Sequence, residues 1–331
     1  MNSLPSSERR QAWGNYWQQG ALHSLPTSYA GNYRGAVAGF WESVARHAAD
    51  GQRLLDIGTG NGSLPFLFHT ILGPNCPRID AIDLADKLSP SWHQDMPQQA
   101  RDRIVFHPDT RAEELPFPDG AFDIVCSQYG IEYSDLPFTL AETARVIRSG
   151  GRLALVMHHA GSRLAVVATE ELKWSNQLSG EGDFLQKARA LYPWLAMAAA
   201  GRQSELVGNP EANEVRAAFN QAQTEMGRAI ESSSVPDLLH DARDMVAAHI
   251  EAILSRRATA DDAVRASLAW QDALRLGAFR QSELITHALD EPAFRRLLAE
   301  LGALGFHIEH AEPLAENDGV LMGWSLIASR T

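Results

Sequence analysis

The residues Leu54–Leu55–Asp56–Ile57–Gly58–Thr59–Gly60–Asn61–Gly62 decide the fold of this chain. An apolar run that ends in three closely spaced glycines is typical of a buried strand followed by a tight turn. Such a turn lets backbone N–H groups approach a ligand, and the helix that follows adds the positive end of its dipole. The dinucleotide fingerprint G-x-G-x-x-G would require glycine where Ser63 stands. Asp56 would repel a pyrophosphate but attract a cationic amino-acid head group.

Strand and helix patterns alternate on both sides of this turn. Predicted strands cover 53–57, 79–83, 103–107, 122–127 and 152–158, and predicted helices cover 33–49, 63–72 and 137–147. Near the other end, Asp290 is predicted to cap a helix that runs to Leu304, and two strands follow at 306–310 and 320–328. This alternation predicts an α/β fold with a doubly wound, mostly parallel sheet.

Three further segments accompany the glycine turn in a fixed order. A second strand ends in Asp83, 21 residues after Gly62; residues 112–125 read AEELPFPDGAFDIV; and residues 142–151 read ETARVIRSGG. Together with the turn, these segments resemble the motifs of the class I (Rossmann-like) S-adenosylmethionine-dependent methyltransferases. The resemblance implies a seven-stranded sheet whose seventh strand is antiparallel and lies at the edge. It covers roughly residues 35–160 and 290–331.

The same resemblance implies S-adenosylmethionine as the cofactor and assigns residues to it. Backbone around Gly58, Thr59 and Gly60 would hold the amino-acid end, with Asp56 acting through the turn, through a water or directly. Asp83 would accept both ribose hydroxyls, next to Leu84. The family's adenine-binding acid is replaced by Arg111, so either Asp109 reaches the adenine or backbone at Arg111 and Ala112 holds it. The remaining predicted donor contacts are Gln128, beside the methyl group, and Tyr33.

The acceptor decides whether catalysis needs a base, because an oxygen or nitrogen acceptor must lose a proton. Side chains that follow strands 4 and 5 are the candidates, and for each of them a purely structural role is the alternative. They are Tyr129, Glu132, Tyr133, His158 and His159. No cluster of His, Cys and carboxylate residues has the spacing of a metal site, so no metal is predicted.

Aromatic residues are dense before the first strand. In related enzymes an amino-terminal helix covers the donor, which makes Tyr16, Tyr33 and Arg34 candidate contacts. Trp17 and Trp41 are instead predicted to pack the amino-terminal segment onto the helical insertion described next. The complete set is Trp13, Tyr16, Trp17, Tyr29, Tyr33, Phe40 and Trp41.

Between the fifth strand and the last helix, apolar residues recur at helical spacing and strand patterns are absent. We therefore predict four parts: a helical lid segment (1–50), the cofactor-binding core (51–160), a helical insertion (161–287) and the end of the core sheet (288–331). The insertion is predicted either to cap the substrate pocket or to form a homodimer interface.

Composition narrows the function classes. The 331 residues carry a net charge of −12, which disfavours a nucleic-acid substrate because no counterion release would support binding. The two cysteines, the absence of a signal-peptide pattern and the lack of a long apolar run predict a cytoplasmic protein that does not enter a membrane. A methyltransferase acting on a small molecule is favoured. The alternatives are a protein of this fold that only binds the cofactor or uses it otherwise, and a nicotinamide-dependent oxidoreductase.

Overall fold

The computed structural model describes residues 6–24, 31–180 and 183–331. Tyr29 and the start of the predicted lid segment lie outside these residues. Two compact units are present, one formed by 1–165 with 283–331 and the other by 166–282. The four-part division based on the sequence stays a prediction.

The first unit contains a seven-stranded sheet, which confirms the predicted doubly wound, mostly parallel fold. Its order is β3-β2-β1-β4-β5-β7-β6, and β7 is antiparallel to both of its neighbours. The strands are β1 (Arg53–Ile57), β2 (Arg78–Ile82), β3 (Ile104–His107), β4 (Phe122–Gln128), β5 (Ile147–Met157), β6 (Phe306–Ala315) and β7 (Leu321–Arg330). The expected position of the last strand was wrong, because β7 lies between β5 and β6 and the edge strand is β6.

Helices flank the sheet on both faces. They are α1 (Ser6–Gln18), α2 (Gly35–Ala45), α3 (Ser63–Leu72), α4 (Ser91–Gln94), α5 (Gln98–Arg101), α6 (Leu136–Val146) and, near the end of the chain, α13 (Glu291–Ala303). Asp290 caps α13 as predicted, since its Oδ1 accepts a hydrogen bond from the Ala293 N–H at 2.8 Å.

Alternating residues along the strands divide the apolar core of this unit between the two faces of the sheet. Leu55 and Ile57 pack with residues of α6 and α13, whereas Leu54 packs with residues of α2 and α3. Because neighbouring residues of a strand point to opposite faces, both faces of β1 must be apolar, and the sequence satisfies this. The strand is therefore fixed between two helical layers, with its carboxyl end held in a defined position.

The second unit is helical in its described part and has its own apolar core. The chain runs through α7 (Arg163–Leu178), α8 (Phe184–Ala199), α9 (Gln203–Leu206), α10 (Pro210–Ser232), α11 (Asp237–Leu254) and α12 (Ala260–His287). Helix α8 packs against α10 and α11, and Leu185, Ala188 and Tyr192 on α8 are buried in that core. Its role as a cap or a dimer interface stays a prediction.

Candidate active site

The carboxyl ends of β1, β2 and β4 border an open cavity with an empty volume of about 850 Å³. Chain order reverses between β1 and β4, which is where ligands bind in open α/β sheets. The described residues that line it all belong to the first unit: Arg9, Trp13, Trp17, His23, Ser24, Tyr33, Ile57, Gly58, Thr59, Ser63, Ile82, Asp83, Leu84, Thr110, Arg111, Ala112, Glu113, Gln128, Tyr129, Gly130, Tyr133 and Ser134.

The glycine turn forms one wall, and both its backbone angles and its neighbours require glycine. Gly58 and Gly60 have φ of 72° and 54°, in the left-handed region. A Cβ at Gly58 would lie 2.8 Å from the Gly130 Cα, and one at Gly60 would lie 2.5 Å from the Trp17 ring. The packing of the turn therefore requires glycine at both positions, and of the two only Gly58 is among the described residues that line the cavity.

Asp83 lines the cavity at the end of β2, next to Leu84. Its carboxylate also builds the glycine turn, because Oδ2 accepts the Gly60 N–H at 2.7 Å and Oδ1 accepts the Ala85 N–H at 2.8 Å. Burial raises the pKa of Asp83, and these two N–H groups act in the opposite direction. Since a carboxylate oxygen has two lone pairs, each oxygen can accept one more hydrogen bond.

Asp56 is not among the described residues that line the cavity. It lies behind the glycine turn, 1% exposed, and its Oδ2 has no hydrogen-bond partner within the described part of the chain. Burial is the main cause that raises its pKa to about 7; the nearby Thr59 hydroxyl lowers the pKa and Asp83 raises it further. Of the routes considered for Asp56, this placement favours an indirect one.

The positions of Asp109, Arg111 and Ala112 distinguish the two alternatives for the adenine contact. Asp109 is more than half exposed and forms an ion pair with Arg10 at 2.8 Å, and it is absent from the described lining. Arg111 and Ala112 do line the cavity. The arrangement favours contact with backbone at Arg111 and Ala112.

Gln128 lines the cavity at the end of β4, and a buried neighbour orients its side chain. The Trp41 Nε1–H donates to the Gln128 Oε1, while Gln128 Nε2 has no partner in the described residues. An indole nitrogen can only donate, so it must meet the amide oxygen, and the NH2 group is left for another acceptor. The cavity wall thus contains a buried, unpaired donor.

The two histidines predicted to face the crevice lie elsewhere. His158 is 1% exposed, stacks on the Tyr129 ring at 4.3 Å, and burial lowers its pKa to about 3. His159 stacks on Trp324 at 4.4 Å and accepts the Gly161 N–H at 2.8 Å. Neither is in the described lining, because the chain that follows β5 places both side chains against aromatic rings instead.

Glu132 is also outside the described lining. Its Oε1 accepts the His158 N–H at 2.8 Å, its Oε2 has no partner among the described residues, and burial raises its pKa to about 7. Tyr129 does line the cavity, with φ of 51°, and its hydroxyl donates to the Met322 carbonyl at 3.1 Å. The loop after β4 therefore contributes Tyr129 to the cavity wall and holds the buried Glu132 carboxyl outside the lining.

Helix α1 supplies residues that the sequence analysis did not assign to the site. Arg9, Trp13 and Trp17 all line the cavity and are spaced four residues apart, which places them on one face of a helix. That spacing was readable in the sequence. The prediction that Trp17 packs onto the insertion was wrong, since its ring lies against Gly60.

Of the other described side chains singled out before the first strand, one lines the cavity and the rest do not. Trp41 packs in the first unit's core, where its indole N–H donates to the Gln128 amide oxygen. Tyr33 lines the cavity, and its hydroxyl accepts from the Ser63 Oγ at 3.4 Å. Tyr16 donates to the His23 carbonyl at 2.9 Å, and neither it nor the exposed Arg34 is in the described lining.

Arg9 ties α1 to the rest of the unit. Its Nε donates to Glu283, and its Nη1 donates to the Tyr133 carbonyl at 2.7 Å. Its Nη2 lies 3.0 Å from the His287 Nε2. Burial, followed by the charge of Arg9, lowers the pKa of His287, so its neutral ring accepts this bond.

Among the described residues, no group of three or more His, Cys, Asp or Glu side chains is arranged to hold a metal ion. No described helix is long and apolar enough to cross a membrane.

Comparison with known proteins identifies the segment that carries the glycine turn. Residues 55–155 match the model of the family described as "Methyltransferase domain". The uncharacterized methyltransferase YcgJ of Bacillus subtilis (strain 168) is 35% identical over 109 residues, which are 33% of this chain and 41% of that protein. The ubiquinone/menaquinone biosynthesis C-methyltransferase UbiE of Hahella chejuensis is 36% identical over 107 residues, 32% of this chain and 43% of the relative.

Among solved structures, the chain resembles 1,6-didemethyltoxoflavin-N1-methyltransferase of Burkholderia thailandensis, with a TM-score of 0.48 and 12% identity over 100% of this chain and 93% of the other. The chain spans about four tenths of the length of the two curated relatives. The match at residues 55–155 coincides with the segment in which the motifs were found. Residues 55–155 therefore form a methyltransferase domain, similar to that of the class I S-adenosylmethionine-dependent methyltransferases, whose cofactor is S-adenosylmethionine.

Proposed function

We propose that this protein transfers the methyl group of S-adenosylmethionine to a small-molecule acceptor. The observation that carries the proposal is that the glycine turn, Asp83 and the Gln128 amide all line one cavity. The net charge of −12 argues against a nucleic-acid acceptor.

The residues present fit the cofactor. Gly58 and Thr59 of the glycine turn line the cavity, so the amino-acid end can lie against their backbone. Asp83 retains lone pairs for the ribose hydroxyls. The unpaired Gln128 NH2 can donate to the cofactor near its methyl group.

The cofactor supplies a methyl group on a sulfonium, whose leaving group is a neutral thioether that needs no acid. The protein's share is then to hold and align two molecules and to limit water between them. Asp83 and the glycine turn fix one end of the cavity, and the ring of Trp17 covers the turn. Alignment by rigid strand ends can therefore supply most of the rate enhancement.

Proton removal from the acceptor has no obvious resident base. Of the five catalytic candidates, His158, His159 and Glu132 are outside the described lining, the Tyr129 hydroxyl donates to Met322, and burial raises the pKa of Tyr133, which makes its hydroxyl a poorer base precursor. We propose that Tyr129 positions the acceptor as part of the wall, and that an acidic acceptor proton leaves to water through the open side of the cavity.

Calorimetric titration tests the proposal. S-adenosylhomocysteine should bind and NAD should not. In Asp83→Asn the side chain keeps one oxygen acceptor but loses its charge, and binding should weaken by about 1–3 kcal/mol because hydrogen bonds to a charged acceptor are lost. The exposed Asp119→Asn serves as a matched control and should bind like the wild type.

Turnover separates methyl transfer from binding alone. Incubation with S-adenosylmethionine and a small-molecule fraction of a cell extract should generate S-adenosylhomocysteine. Binding of NAD in place of S-adenosylhomocysteine would overturn the proposal, and cofactor binding without turnover in any fraction would favour a binding-only role.

A further inference from the structure

An aromatic band crosses the cavity. We define it as Trp17, Trp13 and Tyr133, all of which line the cavity. The rings of Trp13 and Trp17 stack with centroids 5.8 Å apart at 21°, and the rings of Trp13 and Tyr133 meet edge to face at 5.9 Å and 79°. The band begins on Gly60 and ends on the loop after β4.

The band is held in place at both of its ends. At one end the Asn61 side chain donates to the Trp17 carbonyl at 2.9 Å. At the other, Arg9 donates to the Tyr133 carbonyl at 2.7 Å and is itself bound to Glu283. The three rings are thus held in fixed positions along the cavity wall, and this lowers the entropy cost of binding a flat ligand against them.

Charges around the band are matched by partners within the protein. Arg9 is neutralised by Glu283, and Arg111 lies 3.5 Å from Glu113. Asp83, at the cofactor end, accepts two backbone N–H groups. Among the described lining residues, Arg9 and Arg111 are thus paired with carboxylates, and the Asp83 carboxylate, which has no cationic partner, is assigned to the ribose of the cofactor. A charged acceptor beyond the cofactor would then meet no free counter-charge, and burying an unpaired charge is costly.

We propose that the aromatic band is the acceptor subsite and that the acceptor is a neutral, flat aromatic molecule with a hydroxyl or ring N–H to be methylated. This inference rests on the proposed function, because it treats the cavity beyond the cofactor residues as the acceptor side. Stacking on Trp13 provides affinity, and the absence of a free counter-charge other than Asp83 in the described lining selects against ammonium and carboxylate compounds.

The transfer step balances without a further reactant. A lone pair of the acceptor oxygen or nitrogen forms the new bond to the methyl carbon, and the carbon–sulfur bond breaks with its electron pair retained by sulfur. The acceptor's proton passes to water. The products are a neutral thioether and the methylated acceptor, so no oxidant, reductant or metal is required.

Four probes of similar size test the subsite in the presence of saturating S-adenosylhomocysteine: 2-naphthol, decahydro-2-naphthol, 2-naphthoate and 2-naphthylmethylammonium. Calorimetry should show 2-naphthol binding at least about tenfold more tightly than each of the others. Equal or tighter binding of the saturated alcohol would overturn the requirement for flatness. Equal or tighter binding of either ion would overturn the requirement for neutrality.

Variants of Trp13 test whether the aromatic band is responsible for 2-naphthol binding. Trp13→Leu should weaken 2-naphthol binding about tenfold, whereas Trp13→Phe, which keeps a ring, should lose about threefold or less. Phe138→Leu is the control, because Phe138 is a 65% exposed aromatic residue outside the described lining. Unchanged binding in Trp13→Leu contradicts the inference.

A separate measurement of S-adenosylhomocysteine binding distinguishes failure of the proposed function from failure of the acceptor subsite. If the wild type does not bind S-adenosylhomocysteine, the proposed function fails. If it binds S-adenosylhomocysteine but shows no 2-naphthol binding up to the solubility limit, only the acceptor subsite is wrong.

Discussion

At Gln128 the direction of the side-chain amide is set by a neighbour that can only donate. Trp41 is completely buried and its indole N–H meets the amide oxygen, so the NH2 group, which has no partner among the described residues, is left for a ligand. The sequence indicated Gln128 from its position after strand 4, but it could not indicate Trp41. That pairing joins α2 to β4 and exists only after the sheet has formed.

Removing the donor of that pair should affect cofactor binding. In Trp41→Phe the Gln128 amide can rotate, and S-adenosylhomocysteine affinity should fall by about 0.5–1.5 kcal/mol, the typical net contribution of one hydrogen bond. Gln128→Leu should cause a similar loss. If Trp41 acts through Gln128, the double variant should be no worse than the more impaired single variant when measured by calorimetry. Strictly additive losses would contradict this coupling.

The buried carboxyl of Glu132 makes stability depend on pH. Its pKa is raised from 4.5 to about 7 by burial, so the folded state binds this proton more tightly than the unfolded state. The resulting stabilisation is present below the unfolded pKa and is lost as pH rises through 7. His158, whose pKa is lowered, acts in the opposite direction at lower pH.

Glu132→Gln removes this titration. The difference in free energy of unfolding, variant minus wild type, should increase by about 2–3 kcal/mol between pH 5 and pH 8. Denaturant titrations at both pH values measure it, and the His158 contribution cancels because both proteins contain it. The exposed Glu300→Gln should show no such trend. A difference that is constant with pH would mean that Glu132 is not buried as described.

Among the elements, α1 is attached partly through Arg9, besides the buried rings of Tyr16 and Trp17. Arg9 contacts Glu283, Tyr133 and His287, whereas its neighbour Arg10 forms one exposed ion pair with Asp109. Exposed pairs contribute little to stability, but breaking a buried one is costly. The two adjacent arginines therefore provide a matched comparison on the same helix.

We expect Arg9→Ala to loosen α1 and Arg10→Ala to leave it in place. Amide hydrogen exchange in residues 6–18 should accelerate at least about tenfold in Arg9→Ala, which corresponds to about 1.4 kcal/mol of local stability. The effect of Arg10→Ala should be within about 0.5 kcal/mol. Similar exchange in both variants would show that Arg9 does not anchor the helix.

The strands and the site differ in how far sequence predicts them. Strand β1 was predicted with its observed bounds, because an apolar run bounded by a polar residue and a glycine marks both ends. The order of β6 and β7 in the sheet was not predicted correctly, since two antiparallel strands with similar sequence patterns can take either order. Likewise, the spacing of Arg9, Trp13 and Trp17 defines a helix face, but what the face covers depends on distant partners such as Glu283.

For the whole molecule, the two compact units provide an internal comparison. Every described residue that lines the cavity belongs to the first unit. Because a ligand stabilises what it binds, S-adenosylhomocysteine at 100 times its Kd should add about 2.7 kcal/mol to the first unit. Hydrogen exchange should slow in β1, β2 and β4, while the core of the second unit, around Tyr192, should change little.

The same hydrogen-exchange experiment, with an acceptor added, tests the role of the second unit. Protection of residues 166–282 that appears only when an acceptor is added would support a cap. A mass that doubles with protein concentration, with no such protection, would support a dimer interface. Slowed exchange throughout the second unit with S-adenosylhomocysteine alone would contradict the assignment of the cofactor cavity to the first unit.

The position of β7 has a consequence for how the chain matures. Leu155 of β5 pairs with Leu326 of β7, and the entire helical stretch is synthesised between them. Until the last strand emerges, one side of β5 has an open row of backbone hydrogen-bonding groups, and such edges recruit other chains. Newly made protein should therefore pass through an aggregation-prone stage that ends only when β7 enters between β5 and β6, and refolding yield should fall steeply as concentration rises.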